Sequence, residues 1–341
     1  MFRALPSGLE VVAPVVVSLL VPVARADAAD EAVGMPLAAA VVRAGGKVVE
    51  GPEGVVSIDL FNGNNPTKGQ GGPNEAVTDE WLACLEGCSS LKKLSLQNCA
   101  ITNAGLVHLR GLTGLEELSL SFTPVSDEGL VHLAGMTSLR KLGLTATQCT
   151  GSGFKHLRSI RGLSDVNFHY TPLDDAGLKE IVATGVSGRL WFAHTRFTDA
   201  GAACVTALKD LRICGLGSNA AGSSGAAVAF LKELPLLQDL TLMDNQGDLT
   251  GVLHATEIRT LRRLDLTYAP QVNDECLRKA AALPALEEIL IGGPTLTREG
   301  VLALAACDSL KKITLGQMKQ VTADDIEALR QQRPDIEVIT R

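Results

Sequence analysis

LKKLSLQNCAITNAGLVHLRGLTG, residues 91–114, runs without a gap into LEELSLSFTPVSDEGLVHLAGMTS, residues 115–138. The segments match in length and in the spacing of their aliphatic residues, and each carries two periodicities. The opening LxxLxL alternates with period two, the pattern of a short strand. The second half, GLVHLRGL, spaces its apolar residues as a helix does and follows a Thr-Asn pair, Ser-Asp in the next unit, suited to capping a helix N-terminus. Each unit therefore reads as strand, turn, helix. No such unit can bury its apolar side alone, so neighbours must stack, with parallel strands on an inner arc and helices outside.

The unit restarts at Leu91, Leu115, Leu139, Leu163, Ser187, Leu211, Leu237, Leu261, Leu286 and Leu310, mostly every 24 residues, with a half-copy from Ile336. An earlier copy opens at Val55 and resumes at Val77, beyond a polar Gly/Asn/Pro insertion at 62–76 that reads as a mobile loop over the rim. This makes eleven repeats and a closing strand across residues 55–341. Residues 27–54 read as a capping segment, in which Gly45-Gly46-Lys47-Val48-Val49 and GVVSIDL suggest a short helix and strand closing the first end.

The spacing L-x-x-L-x-L-x-x-(N/C/T)-x-(I/V)-(T/S)-D-x-G-L resembles the leucine-rich repeat family, in the short form shared by ribonuclease-inhibitor-like and F-box-associated repeats. That resemblance implies an α/β leucine-rich-repeat solenoid. It would be a curved right-handed horseshoe with a parallel β-sheet on the concave face and helices on the convex face. It also implies a non-catalytic scaffold that binds a protein or peptide in its hollow. The chain departs from the family at the ladder position usually held by Asn, which is Cys99, Thr123, Thr147, Thr171 and Thr195 before Asn219 and Asn245. A threonine hydroxyl can still bond backbone in the turn. A second reading, a substrate-recruiting subunit of a ubiquitin-type ligase, leans on Leu5-Pro6, which faintly resemble an F-box start, but the later part of that motif is missing.

Composition agrees with a repeat core. Leu, Val and Ala supply most of the 46% hydrophobic content and aromatics only 4%, so many small aliphatic pieces must build the interior. The formal net charge is −7 and the 31 basic residues are spread evenly, which offers no stripe for a phosphate backbone and argues against nucleic acid. The run Val11–Ala24 is apolar and leads into Ala24-Arg25-Ala26, so residues 1–26 read as an export signal and the chain as periplasmic or extracellular. The run is too short for a span of about 20 residues, so no integral membrane span is expected.

Motifs with chemical potential reduce to the repeat. Cys88, Cys99, Cys149, Cys214 and Cys307 replace core residues, and no C-x-x-C pair occurs. His108, His132 and His156 recur at 24-residue intervals, but helices about 8 to 10 Å apart cannot bring two imidazoles onto one metal, so surface exposure is their expected fate. Gly215–Gly225, GLGSNAAGSSG, lacks the lysine of a phosphate loop. Asp127, Asp175 and Asp199 recur as helix caps. No catalytic, cofactor or metal site is expected.

Side chains alternate along a strand, so positions three, five, seven and eight of each repeat should face the hollow. Position three reads Lys93, Glu117, Lys141, Asp165 and Arg189, then Arg263, Glu288 and Lys312, a self-compensating charge ladder. The other positions are mostly small, except for Phe122, His169, Tyr170, Trp191, His194 and Tyr268. Large, rigid rings with no core role are what a contact patch requires, and these six form the candidate partner-binding surface.

Overall fold

The computed structural model describes residues 35–61, 63, 72–217, 227–243 and 249–341. The apolar run Val11–Ala24, the Ala24-Arg25-Ala26 site and Leu5-Pro6 lie outside these residues. So do Asn219, Asn245, the rest of the glycine-rich segment after Gly217, and residues 62 and 64–71 of the insertion.

Each LxxLxL segment forms a strand because core-facing leucines alternate with residues on the sheet face: Leu91, Leu94 and Leu96 are buried, as are Leu115, Leu118 and Leu120, while Lys93, Ser95, Glu117 and Ser119 between them are not. Helix α1 (Leu37–Arg43) leads into an antiparallel hairpin, β1 (Lys47–Gly51) with β2 (Gly54–Asp59). From β2 onward the main sheet is parallel, running through Lys93–Ser95, Glu117–Ser119, Lys141–Gly143, Asp165–Asn167 and Gly188–Phe192. It continues through Leu211–Gly217, Asp239–Met243, Arg263–Tyr268, Glu288–Ile291, Lys312–Leu315 and Glu337–Thr340. The 13 strands lie in chain order and one apolar cluster runs beneath them from Ala40 to Ile336. Strands stack about 4.8 Å apart and helices about 8 to 10 Å apart, so the solenoid curves with the sheet on its inner side.

The convex layer begins differently from the expected helices. Trp81–Leu85, Gly105–Leu109, Gly129–Leu133 and Ser152–Leu157 are single 3-10 turns; longer α-helices such as Asp175–Thr184, Asp274–Ala280 and Ala323–Gln332 come later. In GLVHL the two buried leucines are three residues apart, and a 3-10 turn places i and i+3 in line.

The recurring aspartates hold repeats together more than they cap their own helices. Asp79 accepts from Thr102 N and Oγ1 at 2.7 and 2.6 Å, and Asp175 from Thr198 N and Oγ1 at 2.7 and 2.8 Å. Asp127 accepts from Thr150 N and Oγ1, Gly151 N and Gly153 N. Each bond joins one repeat to the next. This explains the glycine of the T-D-x-G-L signature: a Cβ at Gly201 would collide with the Asp175 carboxylate of the preceding repeat. The ladder threonines do bond the turn: Thr123, Thr147 and Thr171 Oγ1 donate to the carbonyls of Leu120, Leu144 and Phe168 at 2.6 to 2.8 Å.

The end of the insertion is ordered structure. Asn74–Thr78 pairs in parallel with Cys99–Ala100, and buried Asn74 donates through Nδ2 to the carbonyls of Ala44 and Leu60 at 2.9 and 3.0 Å. Asn74 thus does for the first repeat what the ladder residues do for the others.

Candidate partner-binding surface

The repeat frame is also the hydrogen-bond register. Lys93 pairs with Glu117, Glu117 with Lys141, Lys141 with Asp165 and Asp165 with Arg189; the column resumes through Asp239, Arg263, Glu288, Lys312 and Glu337. Opposite charges therefore face one another. Glu117 lies 3.0 Å from Lys93 and 3.1 Å from Lys141, Asp165 3.5 Å from Arg189, and Asp239 3.0 Å from Arg263. Burial pushes the Glu117 carboxyl up, but its two lysines outweigh that and hold it below the usual range. At Asp165 and Asp239 burial wins and raises the carboxyl despite the nearby Arg189 and Arg263.

Beside this column runs a groove of about 360 Å³, whose floor is Ser95, Ser119 and Gly143, with Asp59 toward one end and Asn167 toward the other. Its charged wall is Lys93, Glu117, Lys141 and Asp165.

Position eight has a property that sequence reasoning missed. Asn98, Phe122, Ala146, Tyr170 and His194 all have left-handed backbone, with φ between 54° and 60°. Such geometry costs roughly 1–2 kcal/mol for a residue with a Cβ. It is held by a ladder of bonds to the next repeat: Phe122 N to Thr145 O at 2.7 Å, Ala146 N to His169 O at 2.7 Å, and Tyr170 N to Ala193 O at 3.0 Å. The available signal was the spacing alone, since none of these positions is glycine.

The structure brings four of the six candidate rings together. His169 and Trp191 lie on the sheet face with centroids 5.5 Å apart, and Tyr170 stacks on His194 at the strand ends with centroids 4.3 Å apart. Tyr170 is 54% exposed; His169, Trp191 and His194 are half-buried. Trp191 leans toward the following repeat, where a Cβ on Gly215 would overlap its ring. The His169 ring is pinned: its Nδ1 accepts from Ala193 N at 3.0 Å, and its backbone N donates to Asn167 Oδ1 at 2.9 Å. Burial lowers the pKa of His169; the Ala193 backbone opposes this, and His194 adds to it. Phe122, half-buried, stands two repeats from Tyr170 in the same left-handed column. Tyr268 ends a strand three places along the sheet from Trp191's, and its side chain lies outside the described ones.

The histidine row on the convex side is partly engaged rather than simply exposed. His108 pairs with Glu86, and His132 Nδ1 accepts from Arg110 Nε at 2.9 Å, while His156 is exposed. No His/Cys/Asp/Glu group among the described residues could hold a metal ion. Likewise, no helix among them is long and apolar enough to cross a membrane.

Comparison with known proteins follows the same lines. A family model described as Leucine Rich repeat matches residues 87–109 and 112–134. Among solved structures, an internalin from Listeria monocytogenes superposes with a TM-score of 0.52 at 14% identity, covering 91% of this chain and 94% of the internalin. TLR13, solved in complex with ssRNA13, superposes with a TM-score of 0.53 at 18% identity, covering 77% of this chain and 40% of TLR13. These identities speak to the fold alone. No curated protein gives a sequence match.

Proposed function

Because the chain is a leucine-rich-repeat protein, we propose that it is a non-catalytic scaffold that binds a protein or peptide across its concave face. One observation carries the reading. Four rings from two adjacent repeats, His169, Tyr170, Trp191 and His194, gather on a face where neighbouring repeats manage with small residues, and one of them is more than half exposed. They adjoin the groove whose floor ends at Asn167. Large rings held by packing lose little entropy on binding and contribute much area, as interface anchors do.

The charge of −7 favours a polypeptide partner over a nucleic acid. The recurring aspartates, which could suggest acid–base chemistry, serve as bonds between repeats. The test is affinity capture with the wild type and a Tyr170→Ala, Trp191→Ala double variant. The wild type should retain at least one specific partner that the variant loses; equal recovery of every partner would rule the patch out.

A further inference from the structure

We propose that the last strand, Glu337–Thr340, is the contact through which two copies of this chain join, edge to edge and antiparallel, about a two-fold axis. The inference is independent of what the concave face binds.

Among the described residues the sheet stops at this strand. Glu337 N and Arg341 N donate to the carbonyls of Lys311 and Leu315 beside it, each at 2.9 Å. Alternate residues of a strand direct their peptide groups to opposite sides, so 337, 339 and 341 bond into the sheet while Val338 and Thr340 present N–H and C=O to the open edge. Arg330 Nη2 reaches Val338 O there at 3.2 Å, and a carbonyl keeps a second lone pair. Such an edge is a template for another chain. In an antiparallel pair only the outward residues exchange bonds, and a two-fold axis perpendicular to the sheet matches residues of the same face. Setting Val338 against Thr340 of the second copy meets both conditions, and each such pair exchanges both of its bonds. Ile339 then faces its own counterpart, and Glu337 faces Arg341 of the second copy. Both hollows open to the same side.

The charges select a second copy as the occupant. Within the position-three column Glu117 lies between Lys93 and Lys141 at 3.0 and 3.1 Å, and Glu288 between Arg263 and Lys312 at 3.4 and 3.8 Å. Glu337 has Lys312 at 3.8 Å on one side and the open edge on the other. Arg341 is exposed on the same face, and no ion pair holds it among the described residues. Across the axis Arg341 of the second copy takes the open side of Glu337, one strand spacing away, and continues the alternation of sign. Position five also turns apolar toward this edge: Leu290 and Thr314 are buried and Ile339 is half-buried. The two Ile339 side chains extend that row in the close pairing that β-branched residues fill well. The opposite edge lacks this match. A bulge between Val49 and Glu50 blunts β1, and centring two copies on Val49 sets Lys47 against Gly51.

Sedimentation velocity of the full chain over a concentration series is the test. One strand a side is a small interface, so the wild type should dimerise with a dissociation constant of about 10–100 μM. Glu337→Arg and Arg341→Glu each oppose like charges at both ends of the contact and should each weaken self-association about tenfold. An equimolar mixture of these two variants restores both opposite-charge pairs and should associate more tightly than either alone. Thr340→Pro removes an outward N–H, leaves the bonds to the preceding strand in place and should abolish the dimer. Circular dichroism checks that each variant keeps its fold. A wild-type chain still monomeric at about 500 μM, undiminished association of folded Thr340→Pro, or a mixture no better than its components would each overturn the edge contact.

Discussion

Tyr170 and His194, 24 residues apart in the chain, stack ring on ring with centroids 4.3 Å apart and planes 7° from parallel. The sheet imposes this contact. Both residues sit in the left-handed turn that follows their strands, so rings at these places are brought together by the strand spacing. The stack restrains Tyr170 before any partner arrives, which lowers the ordering cost of binding.

A double-mutant cycle of Tyr170→Ala and His194→Ala should give a coupling energy of about 0.5–1.5 kcal/mol in urea unfolding. A coupling near zero would mean that the rings only lie side by side.

Trp191 rests where a side chain at position 215 would be, so Gly215→Ala must push the indole off the sheet. The cost should be about 1–3 kcal/mol. Trp81, the other tryptophan, is buried in the core and should be unaffected, so a red shift in emission would report Trp191. Unchanged emission and stability would contradict this packing.

Asp127 accepts four bonds from the following repeat, including three backbone N–H groups. Asp127→Ala leaves those donors without their acceptor and should cost about 3 kcal/mol, measured by denaturant unfolding. Asp175→Ala, which removes two bonds to Thr198, should cost less.

His169 has a pKa lowered chiefly by burial, so the folded state resists the proton that the unfolded chain takes up near pH ~6.5. Its stabilising effect is present above that pH and lost as pH falls toward the folded-state value. Melting temperature should therefore drop between about pH 7 and about pH 5. His169→Gln should flatten part of that drop; His132, lowered by burial and Arg110, accounts for another part. An unaltered profile in His169→Gln would exclude His169 as a source.

Burial pushes the thiols of Cys99 and Cys149 up to about 12 and that of Cys214 higher still. Iodoacetamide at about pH 8 should leave all three unmodified until the chain is unfolded, as peptide mass analysis can establish. Cys84 and Cys88, half-buried, should react first.

Much of this molecule was legible from one 24-residue unit. The alternation of Leu91, Leu94 and Leu96 specifies a strand because burial on one side is a local property of the chain. The charged column from Lys93 to Arg189 followed by counting, because stacked copies of one unit must pair like positions. The rings could be placed on the inner face for the same reason. What they touch could not. Whether Trp191 leans over Gly215 or stands clear depends on the neighbouring repeat.

Sequence alone therefore determined the unit, its repetition and the face each residue presents, since these follow from hydrophobic period and chain geometry. Only the tertiary structure decided the left-handed turn at Phe122, Ala146, Tyr170 and His194, and the reach of Asp127 into the next repeat. It also decided the role of Asn74 at the end of the insertion and the pairing of rings into a patch. Each of those is a contact between units, and its geometry comes into being when one repeat is laid on another.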